Sequence, residues 1–135
     1  MKDINRMSTL YYIHDPMCSW CWGFRACWLN ICKNLIDKIN IQYVLGGLAS
    51  DTDIPMPDEQ QLIIHQTWKQ IQQTIPGTEF NFNFWTECKP RRSTYPACRA
   101  IIAATNQCSS AGENMLLAIQ QAYYLMQKTP PTMKH

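Results

Sequence analysis

The stretch Thr9-Leu10-Tyr11-Tyr12-Ile13-His14-Asp15-Pro16-Met17-Cys18-Ser19-Trp20-Cys21-Trp22 changes character halfway along. Thr9 to Ile13 are β-branched or aromatic with no polar break, which reads as a short buried strand. His14-Asp15-Pro16 ends it. From there the apolar residues recur at helical spacing, with Trp20, Phe24, Cys27, Trp28, Ile31 and Leu35 on one face. Asp37 to Asn40 breaks that pattern, and Ile41 to Leu45 forms a second apolar run closed by Gly46-Gly47. Strand, helix and strand in this order predict a βαβ unit with parallel strands and a right-handed crossover.

The rest of the chain has helical rather than alternating patterns. After a loop with two prolines, Asp58 is expected to cap a helix, with Gln61 as its reciprocal partner and Ile64, Trp68, Ile71 and Ile75 as the buried stripe. Pro76-Gly77 ends it. The segment Thr78 to Arg92 carries Phe80, Phe82, Phe84 and Trp85, read as a loop that plugs aromatics into the core, with a short strand as the other possibility. Pro96 falls in the first turn of the next helix, where its missing N–H costs little. That helix is expected to pack through Cys98, Ile101, Ile102 and Thr105. Ser110 and Glu113 suggest a capping box for a last helix with the stripe Leu116, Ile119, Tyr123 and Met126, stopped by Pro130-Pro131.

The 135 residues suit one domain, which buries about two-thirds of its unfolded surface and needs no disulfide staple or metal to fold. A hydrophobic fraction of 46% and a charged fraction of 16% indicate a globular chain. The net charge of +2 is too small to imply nucleic acid. The basic run Lys89, Arg91 and Arg92 reads as a solvated loop. No stretch reaches the length of a membrane span, and the polar residues of 1–7 do not resemble a signal peptide, so a cytoplasmic address is expected. Seven cysteines at irregular spacing fit a reducing compartment. Cys27, Cys32, Cys88, Cys98 and Cys108 are expected to be small buried hydrophobes.

Cys18 and Cys21 are different. A C-x-x-C at the start of the first helix of a βαβ unit is a redox signature. Disulfide exchange needs an exposed thiolate to attack and a nearby thiol to resolve the mixed disulfide, and two intervening residues put both sulfurs on the first helical turn. Cys18 lies at the helix N-terminus, where free backbone N–H groups and the helix dipole favour negative charge. Cys21 lies one turn inward and should be less exposed. The assignment is Cys18 as nucleophile and Cys21 as resolving thiol. Ser19 and Trp20 are expected to tune the pair, Ser19 by offering a hydroxyl and an N–H to the Cys18 sulfur. His14 is a candidate proton shuttle or a packed strand-end histidine. The competing chemistry is zinc, which usually takes a second Cys pair or a His-x₃₋₅-His. Neither is present, since His14, His65 and His135 are scattered. No cofactor and no metal is expected.

The run Leu10 to Phe24 resembles the active-site segment of the DsbA family of thioredoxin-fold proteins, most of all its cytosolic branch with a tryptophan inside the motif. Leu45 to Leu48, Pro76 to Phe82 and Arg91 to Arg99 extend the resemblance to about Gln127. It implies an α/β, thioredoxin-like fold in which a helical insertion follows the second strand. It also implies a thiol–disulfide oxidoreductase with its redox dithiol at Cys18 and Cys21, acting on disulfide-bearing proteins or small thiols. A related branch uses glutathione for isomerisation or transfer, with serine in place of the nucleophile, whereas here Cys18 keeps the leading position.

The family's cis-proline loop, with the two strands and helix after it, has no counterpart in this sequence. The expected organisation is therefore a thioredoxin-like βαβ part at 1–50 and a helical insertion at 51–135, with the second half of the core missing by truncation. Such a chain should be a weak catalyst that associates with copies of itself through an open strand edge.

Overall fold

The computed structural model describes residues 7–127. Strand β1 (Thr9–His14) and strand β2 (Asn40–Leu45) pair in parallel, with Thr9 opposite Asn40 and His14 opposite Leu45. Helix α1 (Ser19–Leu35) connects them. The sheet contains these two strands among the described residues. The expected βαβ order is present, and the boundaries fall within a residue of the sequence reading.

The helix is held to the sheet by a small aromatic stack. The Tyr12 ring lies flat on Trp28 with centroids 3.8 Å apart, and Tyr43 of β2 meets both rings edge-on. The Trp28 indole N–H donates to the Tyr43 hydroxyl at 3.0 Å. This pairing joins a packed apolar face with a satisfied polar tip.

β1 is not the buried strand its composition suggested. Tyr12 and His14 face the helix, but the alternate side chains Tyr11 and Ile13 are 60% and 67% exposed. Successive strand residues point to opposite faces. Only one face of this sheet is covered by α1, so a continuous apolar run ends up half in solvent.

Helix α2 (Asp58–Thr74) follows the loop, and its stripe is as expected, with Trp68 and Ile71 fully buried. It packs so closely on α1 that a Cβ added to Gly23 would lie 2.6 Å from the Ile71 side chain. The cap is shifted by one residue. Pro57 takes the extended N-cap position, Asp58 becomes the first helical residue, and the Gln61 amide reaches back to the Met56 carbonyl at 2.9 Å instead of closing a box. The end at Pro76-Gly77 is confirmed, with Gly77 at a φ of 92°.

The aromatic segment is a loop with one helical turn, α3 (Phe84–Glu87), and not a strand. Its rings converge on Trp68. Phe80 stacks on that indole at 4.7 Å, while Phe82, Phe84 and Trp85 surround it. Helix α4 (Tyr95–Thr105) and helix α5 (Ser109–Tyr124) are the last elements among the described residues. In α4 the buried residues are Ala97, Cys98, Ile101 and Ala104, while Ile102 and Thr105 keep much of their surface exposed. The two helices approach closely where Thr105 lies against Gly112, at which an added Cβ would collide with the threonine side chain. Tyr123 and Tyr124 close the Trp68 cluster, to which Met17 and Trp22 also pack, so the βαβ part and the helices share one core.

The capping box expected at Ser110 and Glu113 does not form. Cys108 takes the N-cap of α5, and its sulfur lies 3.3 Å from the Ser110 hydroxyl. Helix α5 ends at Tyr124, so Met126 lies beyond it and is exposed, and Pro130-Pro131 falls outside the described residues. Among the five cysteines expected to be core filler, Cys98 is buried, Cys32 and Cys88 are half-buried, and Cys27 and Cys108 are exposed.

Candidate active site

A tight turn carries the chain from β1 into α1. The Cys18 amide donates to the Asp15 carbonyl at 3.1 Å, and the Trp22 amide donates to the Cys18 carbonyl at 3.2 Å. Cys18 is thereby the N-cap of α1, with an extended backbone at φ −79° and ψ 114°. A cap residue faces amides that have no intrahelical acceptor.

Those amides are used. The Cys18 sulfur accepts from the Cys21 thiol, the largest influence on it, and from the Cys21 and Trp20 backbone N–H groups. Together they outweigh burial and the nearby Asp15 charge and hold the Cys18 thiol down to about 6. Cys21 moves the other way. Its proton is held by the hydrogen bond to Cys18, and burial and the same negative neighbours push it far up. Exposure does not separate the two, as had been expected, because both are half-buried. Hydrogen bonding separates them.

Tyr12 faces the pair from β1, its hydroxyl pushed up to about 12 by burial first and then by the two sulfurs. Trp20 projects outward as an exposed rim at 39%. Trp22 turns inward, stacks on Tyr124 at 5.5 Å and donates its indole N–H to the Glu79 carbonyl at 2.9 Å. The Ser19 hydroxyl, expected to serve the Cys18 sulfur, instead accepts the Trp68 indole N–H at 2.9 Å. His14 is 6% exposed, stacked on Tyr12 at 5.4 Å and edge-on to Tyr43 at 5.5 Å. Burial lowers its pKa against the pull of Asp15. Its contacts among the described residues do not include either sulfur.

Sequence reasoning missed Asp15. It reads there as a strand terminator, yet its carboxylate is 2% exposed and fully engaged. One oxygen accepts the Met17 amide at 2.8 Å, and the other accepts the Leu48 amide at 3.0 Å and faces the Cys98 thiol at 3.7 Å. The available signal was positional, since an aspartate opening a turn commonly bonds the amide two residues on.

Beside the dithiol's helix runs a groove of about 370 Å³, lined by Trp22, Arg25 and Leu29 on one side and Ile75 to Glu79 on the other. Among the described residues no three His, Cys, Asp or Glu side chains gather as a metal site. No described helix is long and apolar enough to cross a membrane.

The chain matches the family model described as Thioredoxin over residues 11–135. It belongs to the thioredoxin family. The solved structures it is similar to agree with that fold. One is described as a protein disulfide isomerase from Nitrosomonas europaea, at 29% identity and a TM-score of 0.80, covering 95% of this chain and 60% of that one. Another is the cytosolic disulfide reductase DsbM from Pseudomonas aeruginosa with GSH, at 22% identity and a TM-score of 0.72, covering 93% of this chain and 59% of that one. The same reductase also matches in a second structure, at 21% identity and a TM-score of 0.73. This thioredoxin-family chain spans about three fifths of the length of these solved chains. No curated protein matches it.

Proposed function

We propose that the chain is a thiol–disulfide oxidoreductase of the DsbA-like branch, working through Cys18 and Cys21. The observation that carries the reading is the opposed state of the two thiols at the start of α1, one lowered to about 6 and the other raised. A thiol held in that range is largely thiolate at neutral pH, and the thiolate is the nucleophile.

In the forward direction the Cys18 thiolate attacks one sulfur of a substrate disulfide. A mixed disulfide forms and one substrate thiolate leaves. Cys21 then loses its proton and attacks the Cys18 sulfur, which releases the second substrate thiolate and leaves a Cys18–Cys21 disulfide. The substrate gains two electrons and the dithiol loses two. Two equivalents of a small thiol of the glutathione class return the dithiol, and run backwards the same steps oxidise a substrate dithiol. Removal of the Cys21 proton is the demanding step, because the hydrogen bond that stabilises Cys18 also holds that proton. Once Cys18 is in a mixed disulfide its negative charge is gone, and Cys21 is freed to ionise.

The GSH bound in the DsbM structure favours a small thiol as the reductant. The resemblance to that cytosolic protein supports a cytoplasmic setting. The bare face of β1 supports association between copies through the sheet. The deciding experiment is disulfide-reductase activity with a small-thiol reductant. Cys18→Ala should reduce it to background, and Cys21→Ala should accumulate a mixed disulfide at Cys18. Activity retained in Cys18→Ala would end the reading.

A further inference from the structure

We infer that Trp68 and Tyr124, supplied by the helices outside the βαβ unit, are positioning residues that grip Ser19 inside the redox motif and thereby set the nucleophilicity of Cys18. The inference rests on the oxidoreductase reading for its use, but its geometry stands alone. Trp68 is fully buried in α2, and its indole N–H reaches 49 positions back in the chain to the Ser19 oxygen at 2.9 Å. Tyr124 is fully buried in α5, and its hydroxyl faces the same serine, yet it closes no hydrogen bond of good geometry among the described residues. A buried hydroxyl without a partner is costly and uncommon.

The indole has one donor and no acceptor, so Ser19 must accept from it. The serine's own proton is then directed to another acceptor, and the Tyr124 oxygen is the one facing it. Ser19 is the first residue of α1, directly between the N-cap Cys18 and the Trp20 and Cys21 amides that point at its sulfur. Anchoring Ser19 to the aromatic core fixes that first turn at the point where helices ordinarily fray. The groups facing Cys18 are Cys21 on α1, Asp15 on the turn, Tyr12 on β1 and Tyr124 on α5. The Cys21 thiol gives the thiolate its largest stabilisation and the Cys21 and Trp20 amides add to it, while Asp15, Tyr12 and Tyr124 supply no positive charge, so the stabilisation depends on the geometry of the first turn that Ser19 anchors.

The test is the pH dependence of Cys18 alkylation, resolved by peptide mass spectrometry, in Trp68→Phe, Ser19→Ala, the double variant and Tyr124→Phe. Trp68→Phe keeps an aromatic ring and removes the N–H. A network predicts that each of the first two raises the Cys18 midpoint by about half to one pH unit, the size of one hydrogen bond. The double variant should shift no further than either single one, since coupled residues are not additive. Tyr124→Phe should shift it in the same sense. An unchanged midpoint in Ser19→Ala, which leaves the aromatic core intact, overturns the inference, as does a double variant whose shift is the sum of the two. Because alkylation needs no substrate, this result is independent of whether Cys18→Ala abolishes reductase activity.

Discussion

The Asp15 carboxylate accepts the Leu48 amide at 3.0 Å across 33 residues of chain. This bond ties the turn that presents the dithiol to the loop after β2, while the other carboxylate oxygen holds the Met17 amide within the turn. A buried carboxylate is tolerated only when it is hydrogen-bonded, and here both of its oxygens are.

Asp15→Ala should therefore destabilise the protein by about 3 kcal/mol, the scale of losing two charged hydrogen bonds and orphaning their donors. Urea unfolding measures it. Asp15→Asn removes the charge, which opposes ionisation of Cys18, and keeps one of the two acceptor oxygens, so it should cost less stability than Asp15→Ala. That variant should ionise Cys18 at lower pH still, seen as faster alkylation under mildly acidic conditions. A Cys18 profile displaced to higher pH in Asp15→Asn would contradict the assigned sign.

Alkylation of the native dithiol should follow one ionisation near pH 6 at Cys18. Cys21 should remain unmodified until far more alkaline conditions. In Cys18→Ser, Cys21 loses its thiolate partner and should react at lower pH than in the native protein. Equal alkylation rates at the two sites would count against the roles assigned to them.

His14 gives the folded state an acid sensitivity. Burial lowers its folded pKa below the unfolded value of about 6.5. The unfolded chain then binds more protons in that window, so the contribution is fully present above about pH 6.5 and is lost as pH falls through the folded pKa. Stability measured by urea unfolding should decline from pH 7 to about pH 5, and a His14→Gln variant should flatten that part of the curve. A native curve with no slope there would refute the assignment.

Gly23→Ala should destabilise, although alanine is the better helix former. The helical gain is about 1 kcal/mol, but the new methyl would lie 2.6 Å from buried Ile71, and overpacking of that kind costs about 1–3 kcal/mol. A small net loss in thermal stability is expected, and because the atom approached is the Ile71 Cγ2 methyl, Ile71→Leu, which lacks that methyl, should recover part of the loss.

The bare sheet face predicts association. Size-exclusion chromatography across a range of concentrations should show self-association that Ile13→Lys and Tyr11→Glu weaken, while the Cys18 alkylation profile stays in place. A native protein that runs as a monomer at every concentration would remove the proposal.

The sequence by itself determined the elements whose cause is local. The change from a continuous β-branched run to helical spacing at Cys18 fixed β1, α1 and β2, and placed the two cysteines at a helix start. The repeat of Ile64, Trp68, Ile71 and Ile75 fixed the inner face of α2. Tertiary structure decided what depends on neighbours distant in the chain. Tyr11 and Ile13 look buried by composition, but whether a strand face is dry depends on what covers it. Asp15 reads as a strand terminator until Leu48 and Cys98 are folded against it. Ser19 was expected to serve the adjacent sulfur, yet its hydroxyl is engaged by Trp68, because a buried indole N–H must find an acceptor and the serine is the oxygen within reach. Local periodicity reveals which residues turn inward, whereas the partner that each buried polar atom meets is set only when distant segments pack.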